Sequence, residues 1–180
     1  MKKHDNIDRA KFQVVTREPF FATLLMSMPI EYGETTPDGQ DLWLAATDGS
    51  KLYMNPTNVN ELPVDQIIGL IIHELYHVAF MHPFRRGDRD PKDWNVANDY
   101  IINDSIISSG YALPEGGLYD PAINASGYSS EQLYNEIHAE QEDQKGDGSG
   151  SGDSGDGDGQ GSGDPMAGDI LEPQGNASEV

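Results

Sequence analysis

Ile71-Ile72-His73-Glu74-Leu75-Tyr76-His77-Val78-Ala79 is the stretch on which the reading of this chain turns. Side chains four residues apart stack on one face of an α-helix. His73 and His77 therefore project together and can grip one ion. Glu74 lies about 100° further round, where it reaches a water on that ion without ligating the ion itself. Ile67, Ile68, Leu70, Leu75, Phe80 and Met81 help make the helix apolar nearly all round, and such a helix is buried. Burying an unpaired carboxylate costs on the order of several kcal/mol or makes it give up its charge. A divalent cation compensates Glu74 and the two imidazoles. The plain alternative, two helix histidines beside a solvated glutamate, does not suit this apolar setting.

The chain has no cysteine, which removes disulfides and thiolate metal sites together. Zinc here must be held by histidine and carboxylate. Hydrolytic zinc usually takes three protein ligands and keeps one position for water, so a third donor is expected downstream. The run Trp94-Asn95-Val96-Ala97-Asn98-Asp99-Tyr100-Ile101-Ile102-Asn103 places Asn95, Asp99 and Asn103 four apart, on one polar face of an otherwise apolar helix. Packed antiparallel on the first helix, it presents Asp99 to the metal, with Asn95 and Asn103 beside it. His82 is the alternative third ligand. Five residues after His77, it is turned about 140° away on a continuous helix and binds only if the chain bends at Pro83.

Outward from these motifs the pattern is α+β and mainly helical. Ile7 to about Met28 is apolar at helical spacing and interrupted by Pro19, which reads as two short helices or one kinked helix. Leu42–Thr47 and Lys51–Asn55 flank Asp48-Gly49-Ser50, a hairpin signal. Pro63 opens the long helix, expected to run to about His82. Asp93, as N-cap, opens the second, ending at Gly110. Tyr111–Tyr128 is rich in Gly and Pro and reads as loop. Ser129 caps a last helix to about Glu140. Residues 1–140 form the domain. From Gln141 the chain turns into GDGSGSGDSGDGDGQGSGD, which cannot bury enough apolar surface to offset ordering, so residues 141–180 are expected to be a disordered acidic tail. Its aspartates do not make an EF-hand, because the twelfth position counted from Asp156 is Ala167.

Net charge is -20, from 31 acidic and 11 basic residues. That balance repels phosphate backbones and anionic lipid, so nucleic acid and membrane are not expected partners. The N-terminus has early positive charge but no apolar stretch behind it, and no run approaches the roughly 20 apolar residues of a membrane span. A cytoplasmic protein is expected, in the host cytoplasm if it is phage-encoded.

The two motifs also carry a resemblance. His73 to His77, then His82-Pro83 and Arg85-Arg86, then Trp94 to Asn103 resemble the metallopeptidase domain at the N-terminus of bacterial and phage proteins that continue into a von Willebrand A-like domain. The resemblance covers roughly residues 8–140. It implies a zincin-like fold, bound zinc and peptidase activity on a peptide or protein, with the motif Asp on Asp99 and the motif Asn on Asn103. Such relatives carry an acidic linker before the next domain, so a separate von Willebrand A-like or ATPase partner is an expectation. The expected chemistry is amide hydrolysis with Glu74 as general base. The hairpin edge would take an extended peptide, and an oxyanion partner would come from Tyr100, Tyr111, Tyr119, His82 or Arg85. The alternative is a non-catalytic zinc-binding interaction module.

Overall fold

The structure, a computed structural model, describes residues 5–146 and 169–173, with side chains to residue 139 in the first stretch. Its fold is mixed α/β, mainly helical with one small sheet. The N-terminal apolar pattern becomes α1 (Asp5–Arg17) and α2 (Pro19–Ser27). The break falls at Glu18, whose φ of -122° and ψ of 79° leave the helical region, as the residue before a proline tends to do. Ile7, Ala10 and Val14 line the buried face of α1, which packs against the long helix.

The sheet has three short strands, β1 (Ile30–Tyr32), β2 (Ala45–Thr47) and β3 (Leu52–Met54), in the order β1-β3-β2. β2 and β3 form the expected hairpin. Asp48 closes its turn by accepting from the Ser50 and Lys51 amides at 2.7 and 2.8 Å, and Gly49 supplies the left-handed residue, with φ of +87°. β1 pairs in parallel with β3, a partner the sequence pattern did not announce. Asn55 then caps α3 (Pro56–Val59) by accepting from Thr57 and Asn58 amides.

The long helix, α4 (Val64–Ala79), is the centre of the molecule. Ile67, Leu70, Ile71, Ile72 and Leu75 are fully buried in the main core, with Leu52, Met54, Ile102 and Ile106 around them. Gly69 lets the loop after the second motif lie against it: a Cβ there would come within 1.8 Å of the Ala112 carbonyl oxygen. The helix stops before the expected His82. Phe80 caps it, and Met81 turns left-handed at φ of 57°. The bend is therefore at Met81, ahead of Pro83, and it sends the chain into the single turn α5 (His82–Arg85).

The second motif forms α6 (Pro91–Ser108), which packs on α4. Its N-cap is Asp90, which accepts from the Asp93 amide at 3.0 Å, and Pro91 occupies the first turn. Asp93, expected as the cap, instead meets His138 at 2.6 Å. A 3-10 turn at Ala125–Gly127 leads to α7 (Ser130–Gly146), six residues longer than expected. The expected acidic tail lies largely outside the described residues, but Asp169–Pro173 is described. Asp169 is buried, and this segment lies alongside β2 through a parallel bridge between Thr47 and Ile170. No helix among the described residues is long and apolar enough to cross a membrane.

Candidate metal centre

The α4 backbone places His73 and His77 one turn apart, and their Nε2 atoms lie 2.8 Å from each other. Both side chains are buried, as are Glu74, His82, Asp99 and Asn103. α6 brings Asp99 to the pair: its Oδ1 is 3.3 Å from His77 Nε2 and 3.6 Å from His73 Nε2. Asp99, the third residue favoured on sequence grounds, thus lies within reach of both rings. Asp169 is the fourth. Its Oδ2 lies 2.8 Å from His73 Nε2 and 3.6 Å from His77 Nε2. One donor atom from each of His73, His77, Asp99 and Asp169 falls within 4.8 Å of all the others.

A surrounding layer of hydrogen bonds aims these donors. With both Nε2 atoms turned to a shared point, each Nδ1 carries the ring proton. His73 Nδ1–H then donates to Asn103 Oδ1 at 2.8 Å, and Asn103 is itself anchored by donating to the Leu118 carbonyl at 2.9 Å. His77 Nδ1–H donates to His82 Nδ1 at 3.0 Å, which leaves His82 Nε2–H to donate to Ser130 Oγ at 3.1 Å. His82 is therefore no member of the donor set. Its Nδ1 is taken by His77 and its Nε2 by Ser130, and the turn at Met81 is what brings it back far enough to meet His77. Burial, and then the neighbouring charge of His77, hold its pKa down to about 2, consistent with a neutral ring that accepts at Nδ1. Asn95 orients Asp99 by donating to Oδ2 at 2.9 Å. Its own Oδ1 accepts from the Ile170 amide at 3.2 Å, so one side chain ties α6 to the segment bearing Asp169.

The donor set suits a divalent cation. Glu74, Asp99 and Asp169 meet in a space closed to solvent. Both carboxylate oxygens of Glu74, and Asp169 Oδ1, are buried without a hydrogen-bond partner. Orphaned buried acceptors of this kind call for a counter-charge. Burial pushes the Glu74 pKa well up, and the Asp169 and Asp99 charges push it further. For Asp169, burial acts upward too, but the two histidines beside it, His77 before His73, outweigh it in the metal-free site and hold the pKa well below the ordinary carboxylate range. Two imidazole nitrogens and two carboxylate oxygens are a set that zinc accepts in four-fold coordination.

Of the oxyanion candidates, three are committed elsewhere. Tyr111 donates to Glu18, Arg85 forks onto Glu131 with contacts of 2.8 Å, and His82 is held as described. Asp169 had no counterpart among the candidate residues. The one trace of it was the apolar pair Ile170-Leu171 within an otherwise polar, glycine-rich tail.

No curated protein and no solved structure matches the chain. A family model described as "Putative metallopeptidase domain" matches residues 2–174, a span that takes in α4, α6 and also Asp169. The chain belongs to that metallopeptidase-domain family.

Proposed function

We propose that this domain is a zinc-dependent peptidase of the zincin type, with His73, His77 and Asp99 as zinc ligands and Glu74 as general base. The observation that supports it best is the position of Glu74. It stands next to the histidine pair, fully buried, with neither oxygen engaged by the protein. A site built only to hold a structural ion has no use for such a carboxylate, and its burial is a standing cost. Zinc bound there supplies Lewis acidity, polarising a carbonyl and lowering the pKa of a coordinated water. Glu74 takes the proton from the attacking water and delivers it to the leaving amine. His82, Asn103 and Asn95 hold the donors in orientation, so that no reorganisation is needed when substrate arrives. A peptidase domain implies peptide or protein substrates, and β2 is the sheet edge along which an extended peptide would add.

One observation favours a second reading, a non-catalytic metal-binding module. Four protein donors rather than three converge on the site, and a closed set is the mark of a structural ion. A single pair of measurements separates the two. Purified protein should carry about one zinc per chain, and Glu74→Gln should retain that zinc while losing peptide cleavage by about 100- to 10,000-fold. Undiminished cleavage by Glu74→Gln would exclude the proposed mechanism. Cleavage by neither protein, across a broad peptide library, would favour the module.

A further inference from the structure

The segment that carries Asp169 does two things at once. Its side chain supplies the fourth donor, 2.8 Å from His73 Nε2. Its main chain occupies the sheet edge beside the site. The Thr47 amide donates to the Asp169 carbonyl at 2.7 Å, and the Leu171 amide donates to the Thr47 carbonyl at 2.9 Å. Because β2 is bonded to β3 on its other side, these bonds use the free edge of the sheet. The flanking side chains are seated as well. Ile170 packs against the cluster of Trp94, Ala97, Ile101 and Leu133, and Leu171 against Leu42, Ala46 and Tyr53. Beyond them Glu172 pairs with Arg86.

These are the features that a bound peptide would need: main-chain pairing on an exposed edge, side chains in flanking apolar seats, and an oxygen on the metal. Here the chain provides them to itself. We propose that Asp169–Pro173 is a self-inhibiting strap, which closes the catalytic ion's fourth position and fills the peptide-binding edge until it is displaced. The inference rests on the metal site of the preceding section. It also resolves the conflict there, because a three-donor catalytic centre closed by a removable fourth is both a hydrolytic site and, at rest, a four-donor one.

The strap differs from the other three donors in how it is held. His73, His77 and Asp99 stand on α4 and α6, inside the packed helices. Asp169 stands on an extended segment, held by two main-chain bonds to Thr47, one to Asn95, two apolar contacts and a partly exposed ion pair. Its release breaks no helix and uncovers only the two smaller apolar clusters, since neither Ile170 nor Leu171 packs on the main core. The α4 donors keep their own supports when Asp169 departs, His73 on Asn103 and His77 on His82.

The test uses the full chain loaded with cobalt(II), whose visible spectrum reports ligand changes, and acetohydroxamate as a small probe that needs an open metal position. Wild type, Asp169→Ala and Ile170→Ala are compared by titration, with metal content and circular dichroism confirming loading and fold. The strap predicts that Asp169→Ala keeps its cobalt and binds acetohydroxamate about tenfold more tightly or better, since the competent state is no longer a minor fraction. Ile170→Ala should shift the same way by less. A third arm leaves the strap residues intact: a protease site inserted within residues 147–168 is cut after loading, and probe affinity should then rise on dilution as the strap leaves. Loss of cobalt from Asp169→Ala, or equal affinity in wild type and all variants, overturns the strap. Peptide cleavage assayed alongside keeps the two ideas apart. Tighter probe binding with no cleavage by any variant supports the strap and removes the peptidase reading; cleavage with equal probe affinity does the reverse.

Discussion

His73 and His77 differ in what stands behind them, and the difference sets what each outer residue should do. His73 is backed by Asn103, whose amide is fixed in turn by the Leu118 carbonyl. His77 is backed by His82, which leans on Ser130. Removing either support frees the ligand ring without deleting a donor. Asn103→Ala and His82→Ala should therefore each weaken zinc affinity by about 10- to 100-fold, read by competition with a chromophoric chelator, while His73→Ala should abolish stoichiometric binding. Glu74 makes a second prediction, on the metal-free protein. With no cation present, its buried carboxyl faces Asp99 and Asp169 without compensation. Glu74→Gln should then leave metal-free protein at least as stable as wild type, with the gain growing as pH rises and the carboxyl is forced to ionise, seen as a urea midpoint that is not lowered at unchanged slope. A lower midpoint would show that Glu74 has a stabilising partner. The residue types and the spacing of His73, Glu74 and His77 were legible in the chain because helix periodicity alone brings them together. The role of His82 was not, because it depends on the left-handed turn at Met81, a position where the sequence offers neither glycine nor asparagine.

At the scale of elements, the site depends on how closely α4 and its neighbours approach. α4 touches α1, α2, α6 and β2, and Gly69 is the point of nearest contact with the loop at Ala112. Gly69→Ala should shift that loop or α4 and destabilise the protein by about 1–3 kcal/mol, despite alanine's better helix propensity. A thermal or urea midpoint unchanged from wild type would mean that the loop yields freely. The longer helices α1, α2, α4 and α6 were readable from periodicity and capping signals within a few residues: Asp90 caps α6 in place of Asp93, and α4 ends at Ala79 rather than near His82; the single turns α3 and α5 were not read, and α7 runs on past the expected Glu140. The hairpin was readable from Asp48-Gly49-Ser50 and its flanks. β1 was not, since Ile30-Glu31-Tyr32 is three residues long and gains its identity only from pairing in parallel with β3. So short a strand has too little pattern to register before its partner is known.

For the whole molecule, the donor set joins parts of the chain that lie far apart in sequence. α4, α6 and the segment at Asp169 contribute to one donor set, across sequence separations of up to 96 residues. Chelation should lower the unfolding temperature markedly, since at free zinc about a thousand times its dissociation constant the bound ion contributes about 4 kcal/mol. The expected difference between zinc-loaded and chelated protein in a melting experiment should shrink in Asp169→Ala, which retains three donors. The amino-acid sequence by itself determined the histidine pair, its glutamate, the polar face that delivers Asp99, and the helical framework that buries them. All of these are local periodicities, written within a turn or two of the chain. Only the tertiary structure decided that His82 hydrogen-bonds His77 and stands outside the donor set, and that Asp169 returns to join it. Both depend on where distant backbone comes to rest, and one aspartate among several in a glycine-rich stretch carries no periodicity that could single it out.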